Sequence, residues 1–366
     1  MLEGLNIDRN AGRQPQSLGL VLNLSERERL ILMYIVHHFI LTAQPVGSRA
    51  LVRRYGLTLS AATIRNTMAD LEALGLLTHP HTSAGRIPTD LGYRIYVDDL
   101  MHTEDIEPEI RNSISCTLQE NCTEVTDVLD HVSELLGQVS RLLSVITTPD
   151  LSSGTLHKVE IVKLSADRIM IIIMVMSGMV ETITLELKSQ ISSDDIKGAT
   201  RFINQRLSGL KISSIPSTIN SRLSGEGESR NAIVRLFLEF PERIFMPSTR
   251  QGMHIGGTRH VLDQPEYKTP EKFKGIIELV EDRDVIVHLL KDRQPGLEVT
   301  IGNEHDGEQL KDFSVITSTY RIGNTQGTLG IIGPTRMDYS KLITLVDYTS
   351  RLVSEHAEKG DKSNHA

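Results

Sequence analysis

The 366-residue sequence predicts a multidomain α+β protein, and three observations predict it. Capped helical periods and one polar hairpin fill the first hundred residues. Strand-like alternation begins only at Leu156. Helical segments then interrupt the strands, which resume at Leu297.

Composition bounds the function. Hydrophobic residues make up 39% and charged residues 23%, an ordinary globular balance with length enough for two or three cores. The net charge of −8 means that binding to a polyanion must come from a local patch. The two cysteines, Cys116 and Cys122, have no second Cys/His pair beside them, so reduced thiols in a cytoplasmic protein are expected, without metal or disulfide. The longest strongly apolar run, Ile169 to Met176, is too short to span a membrane, and the N-terminus lacks a signal-peptide pattern.

Residues 1–23 have no sustained period and read as a flexible lead-in. Ser25 with Glu28 forms a capping box ahead of ERERLILMYIVHHFILTA, whose apolar residues go round most of the helix and imply burial on several sides. A second helix starts near Ser48 and stops at Gly56. A third follows Ser60 as N-cap, with Ile64, Met68 and Leu71 on one stripe. Three short helices joined by tight turns suggest a helix-turn-helix.

With Ile64 inward, Ala62, Asn66, Ala69 and Ala73 face outward on the third helix, flanked by Thr63 and Arg65. Small side chains suit a helix lying close inside a groove, where Asn pairs with adenine and Arg with guanine or phosphate. Alanine is also the best helix former, so this face alone leaves both explanations open. The next segments discriminate. LLTHPH reads as a strand, TSAGR as a turn, RIPT as a returning strand, and DLGYRIYVDDLM as a fourth helix capped by Thr89 or Asp90. Three helices followed by a hairpin make a winged helix-turn-helix. Arg49, Arg53, Arg54, Arg65 and Arg86 outnumber Asp70 and Glu72 between Gly47 and Thr89, a basic island on an acidic chain.

The expected DNA-binding set is Arg49, Ser60, Ala62, Thr63, Arg65, Asn66, Ser83, Gly85 and Arg86. Arg86 is the wing's phosphate or minor-groove candidate, and Thr82, Ser83 and Gly85 let backbone N–H groups approach phosphate. His79 and His81, on either side of a proline, read as solvent-facing spacers.

From Thr103 to Thr148 the chain reads as helical. Val125, Val128, Val132, Leu135, Val139 and Leu142 form a seam open to a partner helix or to the chain's own neighbour. Three strand-like runs follow from Leu156, with Ser177-Gly178 turning the last two. SSDDIKGATRFINQRL and NAIVRLFLEF are helical, LEVTIG and FSVITSTYRI strand-like, and Asp338 caps a last amphipathic helix. No GxGxxG after a strand, P-loop or HExxH is present, and GMHIGGT is too short a glycine match to cradle phosphate, so no enzyme and no cofactor are expected.

The segment SRALVRRYGLTLSAATIRNTMADLEALGLLTHPHTSAGRIPTDLGYRIYVD closely resembles the N-terminal domain of the HrcA family of bacterial heat-inducible transcription repressors. IFMPSTRQGMHIGGTRHVLDQPEY and GTLGIIGPTRMDYSKLITLVDYTSRLV resemble that family's later blocks, extending the likeness from about Leu24 to Glu355. The resemblance implies a homodimer on double-stranded DNA carrying the inverted-repeat operator CIRCE, ahead of class I chaperone operons, with the chaperonin GroEL as modulator. It also implies a GAF-like domain with an inserted dimerising domain. On that basis the expected division is a lead-in at 1–23, a winged helix at 24–101 and a helical connector at 102–150. The GAF-like domain takes 151–190 and 266–356, the dimerising insert 191–265, and a tail 357–366. GAF-like folds often hold small molecules, but no cluster of His, Arg and aromatics designates one here. A metabolite-responsive regulator on the same winged helix is therefore the alternative.

Overall fold

The computed structural model describes residues 23–80, 85–119, 125–187, 191–224, 231–246, 252–290, 295–307 and 310–363. The chain is mixed α and β and divides into two compact units. One comprises residues up to Thr103 with Ile301–Asp306 and Thr335–Ser340, and the other comprises the remainder.

The first unit starts with α1 (Glu26–Thr42), where the Ser25 hydroxyl accepts from the Glu28 N–H and the Glu28 carboxylate accepts from Ser25. Burial of Ile31, Leu32, Ile35, Val36 and Ile40 matches the expected inward face, whereas Leu30 and Leu41 stay exposed, so the helix is covered on fewer sides than its composition suggested. α2 (Ser48–Tyr55) ends at Gly56, whose φ of +60° is the left-handed cap that glycine favours. α3 (Ala61–Ala73) follows, then β1 (Leu77–Thr78) and β2 (Ile87–Pro88), paired antiparallel, and α4 (Asp90–Ile95). Thr89 caps α4, its hydroxyl accepting from the Gly92 N–H. α4 runs on into a π-helical turn over Tyr96–Leu100.

Two segments from far downstream complete this unit. Arg94 on α4 donates from Nε to Glu304 at 2.7 Å and from Nη2 to the other Glu304 oxygen. Asn303 donates from its backbone and its side chain to Asp90. Tyr93 and Tyr339 are both buried, with ring centroids 5.8 Å apart, and Arg336 donates to the Ile40 carbonyl.

In the second unit α5 (Pro108–Gln119) and α6 (Val125–Ser140) precede β3 (Leu143–Thr147). The expected helical connector therefore ends early: Leu143–Thr147 is a fully buried central strand, as its β-branched Val145, Ile146 and Thr147 favour. The expected seam on α6 also shifts. Leu129, Val132 and Leu136 are the buried positions, facing the unit's own sheet, while Val128, Leu135 and Val139 are half-buried.

β4 (Leu156–Lys163), β5 (Arg168–Val175) and β6 (Val180–Glu186) form a separate antiparallel sheet. It shares one core with α7 (Ser193–Leu207), α8 (Ile215–Leu223), α9 (Ala232–Glu239) and α10 (Pro241–Phe245). The division expected at 190/191 thus falls inside one core. Asn204 of α7 makes the join concrete, exchanging 2.7 Å hydrogen bonds with both the N–H and the carbonyl of Val159.

The chain then returns through β7 (Met253–Gly256), α11 (Thr258–Val261), α12 (Pro270–Glu281), α13 (Arg283–Leu290), β8 (Leu297–Ile301), β9 (Phe313–Ile322), β10 (Thr325–Pro334) and α14 (Tyr339–Ser363). The larger sheet has the order β7-β3-β10-β9-β8. β7 was not expected, because GMHIGG carries little strand propensity. It exists through close packing: a Cβ on Gly256 would stand 2.1 Å from the Ser133 carbonyl oxygen, and one on Gly137 would stand 2.3 Å from the Gly257 nitrogen. Only glycines let α6 approach this strand. Gly327 lies within β10 opposite Tyr320, whose ring fills the space of the missing side chain and whose hydroxyl donates to the Thr147 carbonyl.

Candidate nucleic-acid interface

The Ser60 hydroxyl accepts from the Thr63 N–H at 3.1 Å and fixes the start of α3. Ile64, Thr67, Met68 and Leu71 are buried, turning Ala62, Arg65, Asn66, Ala69, Asp70 and Ala73 outward, all exposed. The structure therefore places Ala62, Arg65 and Asn66 together on one open face, with Ser60 exposed and Thr63 half-buried at its N-terminal end. Arg49 and Arg53 of α2 are exposed, and among the described residues neither they nor Arg65 form an ion pair.

The hairpin after α3 is arranged differently. Ser83, like His81 and Thr82, lies outside the described residues. Arg86 exchanges both backbone hydrogen bonds with Val46, at 2.8 and 2.9 Å. Gly85 stands against the same residue, where a Cβ would come within 2.6 Å of the Val46 backbone, so this glycine serves close packing. The Arg86 side chain turns to Glu72, Nη2 to Oε2 at 2.7 Å, with only a quarter of its surface exposed. The other Glu72 oxygen meets His79 Nδ1, so His79, solvent-facing as expected, is also a partner of Glu72. Burial pushes the Glu72 carboxyl up, but the His79 hydrogen bond and the Arg86 charge prevail and hold it below the usual glutamate range.

Sequence reasoning counted Glu72 only as a charge set against the arginines. The available signal was its position one turn beyond buried Met68, with His79 and Arg86 on either side of the following turn.

The C-terminal domain model of the HrcA family matches residues 126–343. The heat-inducible transcription repressor HrcA of Chlorobium phaeobacteroides strain BS1 is 37% identical over 345 residues, covering 91% of this chain and 98% of that protein. The protein of the same name from Geobacter sulfurreducens is 38% identical, covering 92% and 99%. The chain belongs to the HrcA family. That membership spans the first unit as well as the residues of the family model, since the HrcA relatives align along nearly their whole length. A solved structure titled as a hypothetical protein at 2.2 Å resolution shares the fold, with a TM-score of 0.55 and 24% identity over 92% of this chain and 99% of the other. Among the described residues no helix is long and apolar enough to cross a membrane.

Proposed function

We propose that the protein is a heat-inducible transcription repressor that binds the CIRCE inverted repeat as a homodimer. It keeps class I chaperone operons silent in the cytoplasm until heat shock. In this reading the first unit is a winged helix, α3 enters the major groove, and the hairpin is the wing. Asn66 and Arg65 read base edges, the small Ala62 allows close approach, and Ser60, Thr63 and Arg49 engage the backbone, with Ser83, Gly85 and Arg86 in the wing. The larger sheet is the GAF-like domain, and β4 to β6 with α7 to α10 are the dimerising insert. GroEL maintains the competent state.

The supporting observation is the exposed α3 face, small and neutral around Asn66 and Arg65, set opposite a buried Ile64, Met68 and Leu71. A surface helix facing only water would be lined with Lys and Glu. The test is equilibrium binding of the full chain to a CIRCE duplex and to a scrambled duplex at matched salt. Preference for CIRCE of a thousandfold or so is the specific range. Equal affinities would sink the proposal. Adding GroEL to heat-treated protein should restore the operator-binding fraction.

A further inference from the structure

Glu72 stands apart from the open face of α3, and its two carboxylate oxygens are taken by residues on opposite legs of the hairpin. His79 lies just after β1, and Arg86 just before β2. Backbone hydrogen bonds of Arg86 with Val46 and of Thr89 with Leu76 anchor the hairpin's second leg, but its own ladder is short. Its ladder is two residue pairs, Leu77 with Pro88 and Thr78 with Ile87, and the proline has no N–H to give. One carboxylate reaching from α3 to both legs adds a side-chain tie that the backbone contacts do not provide.

The same geometry bears on Arg86. Its guanidinium already makes a charge-assisted hydrogen bond to Glu72, and its Nε is buried without a hydrogen-bond partner among the described residues. A DNA phosphate would have to displace a carboxylate at 2.7 Å to gain this cation. Arg49, Arg53 and Arg65 are exposed and carry no such tie among the described residues.

We propose that Glu72 is a positioning residue that sets the wing against the recognition helix through His79 and Arg86, and that Arg86 serves operator binding through this tie and not as a phosphate contact. The proposal rests on the winged-helix reading given above. It reassigns Arg86 within that reading, leaving phosphate contact to the arginines of α2 and α3.

The experiment measures binding of the full-length protein, well below its melting temperature, to CIRCE and scrambled duplexes across a salt series. Wild type is compared with E72Q, R86Q, the double variant and R65A. E72Q and R86Q should each weaken CIRCE binding about tenfold with an unchanged salt slope. The double variant should be no worse than either single one, because both remove one interaction. R65A should lower the slope by about one unit. A lowered slope in R86Q beside an unaffected E72Q would make Arg86 a phosphate contact and overturn the proposal. So would an affinity loss in either variant that follows its loss of folded protein in a thermal melt, the mark of a purely structural tie. R86Q interrogates the tie from the opposite side should E72Q not fold. A wild type indifferent to CIRCE would instead refute the operator reading, and would show before any variant was compared.

Discussion

Arg94 and Glu304, 210 positions apart in the chain, meet in a two-pronged ion pair within the N-terminal unit, and Arg94 also reaches Asp98 at 3.2 Å. Their side chains are 14% and 19% exposed, so solvent screens the pair little. Burial works against the Arg94 charge, yet Glu304 and Asp98 more than offset it. Replacing Glu304 with Gln should destabilise the N-terminal unit by about 2–3 kcal/mol, because a covered guanidinium loses its main partner. Thermal unfolding followed by hydrogen exchange in α4 is the measurement. An unchanged exchange rate there would contradict the assignment.

Residues 23–103 should not reproduce the native unit when expressed alone. Tyr93 would lose the Tyr339 ring, Arg94 would lose Glu304, and Asp90 would lose both Asn303 hydrogen bonds. The fragment is expected to melt broadly and at lower temperature than the same residues in the full chain, as read by circular dichroism. A sharp transition at the full-length midpoint would show that the downstream segments are dispensable.

Asp98 gives a pH dependence of definite sign. Burial outweighs the attraction of Arg94 and holds its carboxyl above the usual aspartate range. Because the folded value exceeds the unfolded one, its contribution is fully present in acid below the unfolded value and is lost as pH rises through the folded one. Asp98→Asn should therefore gain on wild type as pH rises through that window from about 4 upward. Denaturant titrations at several pH values would reveal it, and a constant difference would refute it.

Gly137 and Gly256 reverse an ordinary expectation. Alanine in place of Gly137, in the last turn of α6, would ordinarily add up to about 1 kcal/mol of helix stability. Here the new Cβ would collide with the backbone of Gly257, and one at Gly256 with that of Ser133. Each variant should instead lose about 1–3 kcal/mol, measurable as a lower denaturant midpoint.

Asn66→Ala should relax sequence preference at a single base step, leaving the salt slope near that of wild type. Competition with operator variants carrying single substitutions would detect it. Uniform weakening across all variants would place Asn66 on the backbone instead.

Where stabilisation is local, the sequence was legible. Ser25 and Ser60 cap the helices expected of them, Thr89 is the one of its two candidates that caps α4, and the Ile64, Met68 and Leu71 stripe is buried as its spacing implied. The exposed face of Ala62, Arg65 and Asn66 followed from that stripe. What stayed hidden depends on distant partners. β7 is held by glycine contacts with α6, the ties of Glu304 cross most of the chain, and Glu72 becomes informative only once the hairpin folds back on it. β3 was missed for another reason: the helical period of α6 runs up to it without a break, masking the β-branched residues of Leu143–Thr147.

The two downstream segments in the N-terminal unit follow directly from β8 and β10. Every residue on the open face of α3 is translated early, yet the unit carrying that face is finished only after Ser340 has emerged. A chain cut short before Ile301 would hold that whole face and lack the pieces that complete its support. The order of the strands alone thus defers the assembly of the N-terminal unit until the residues through Ser340 have been made.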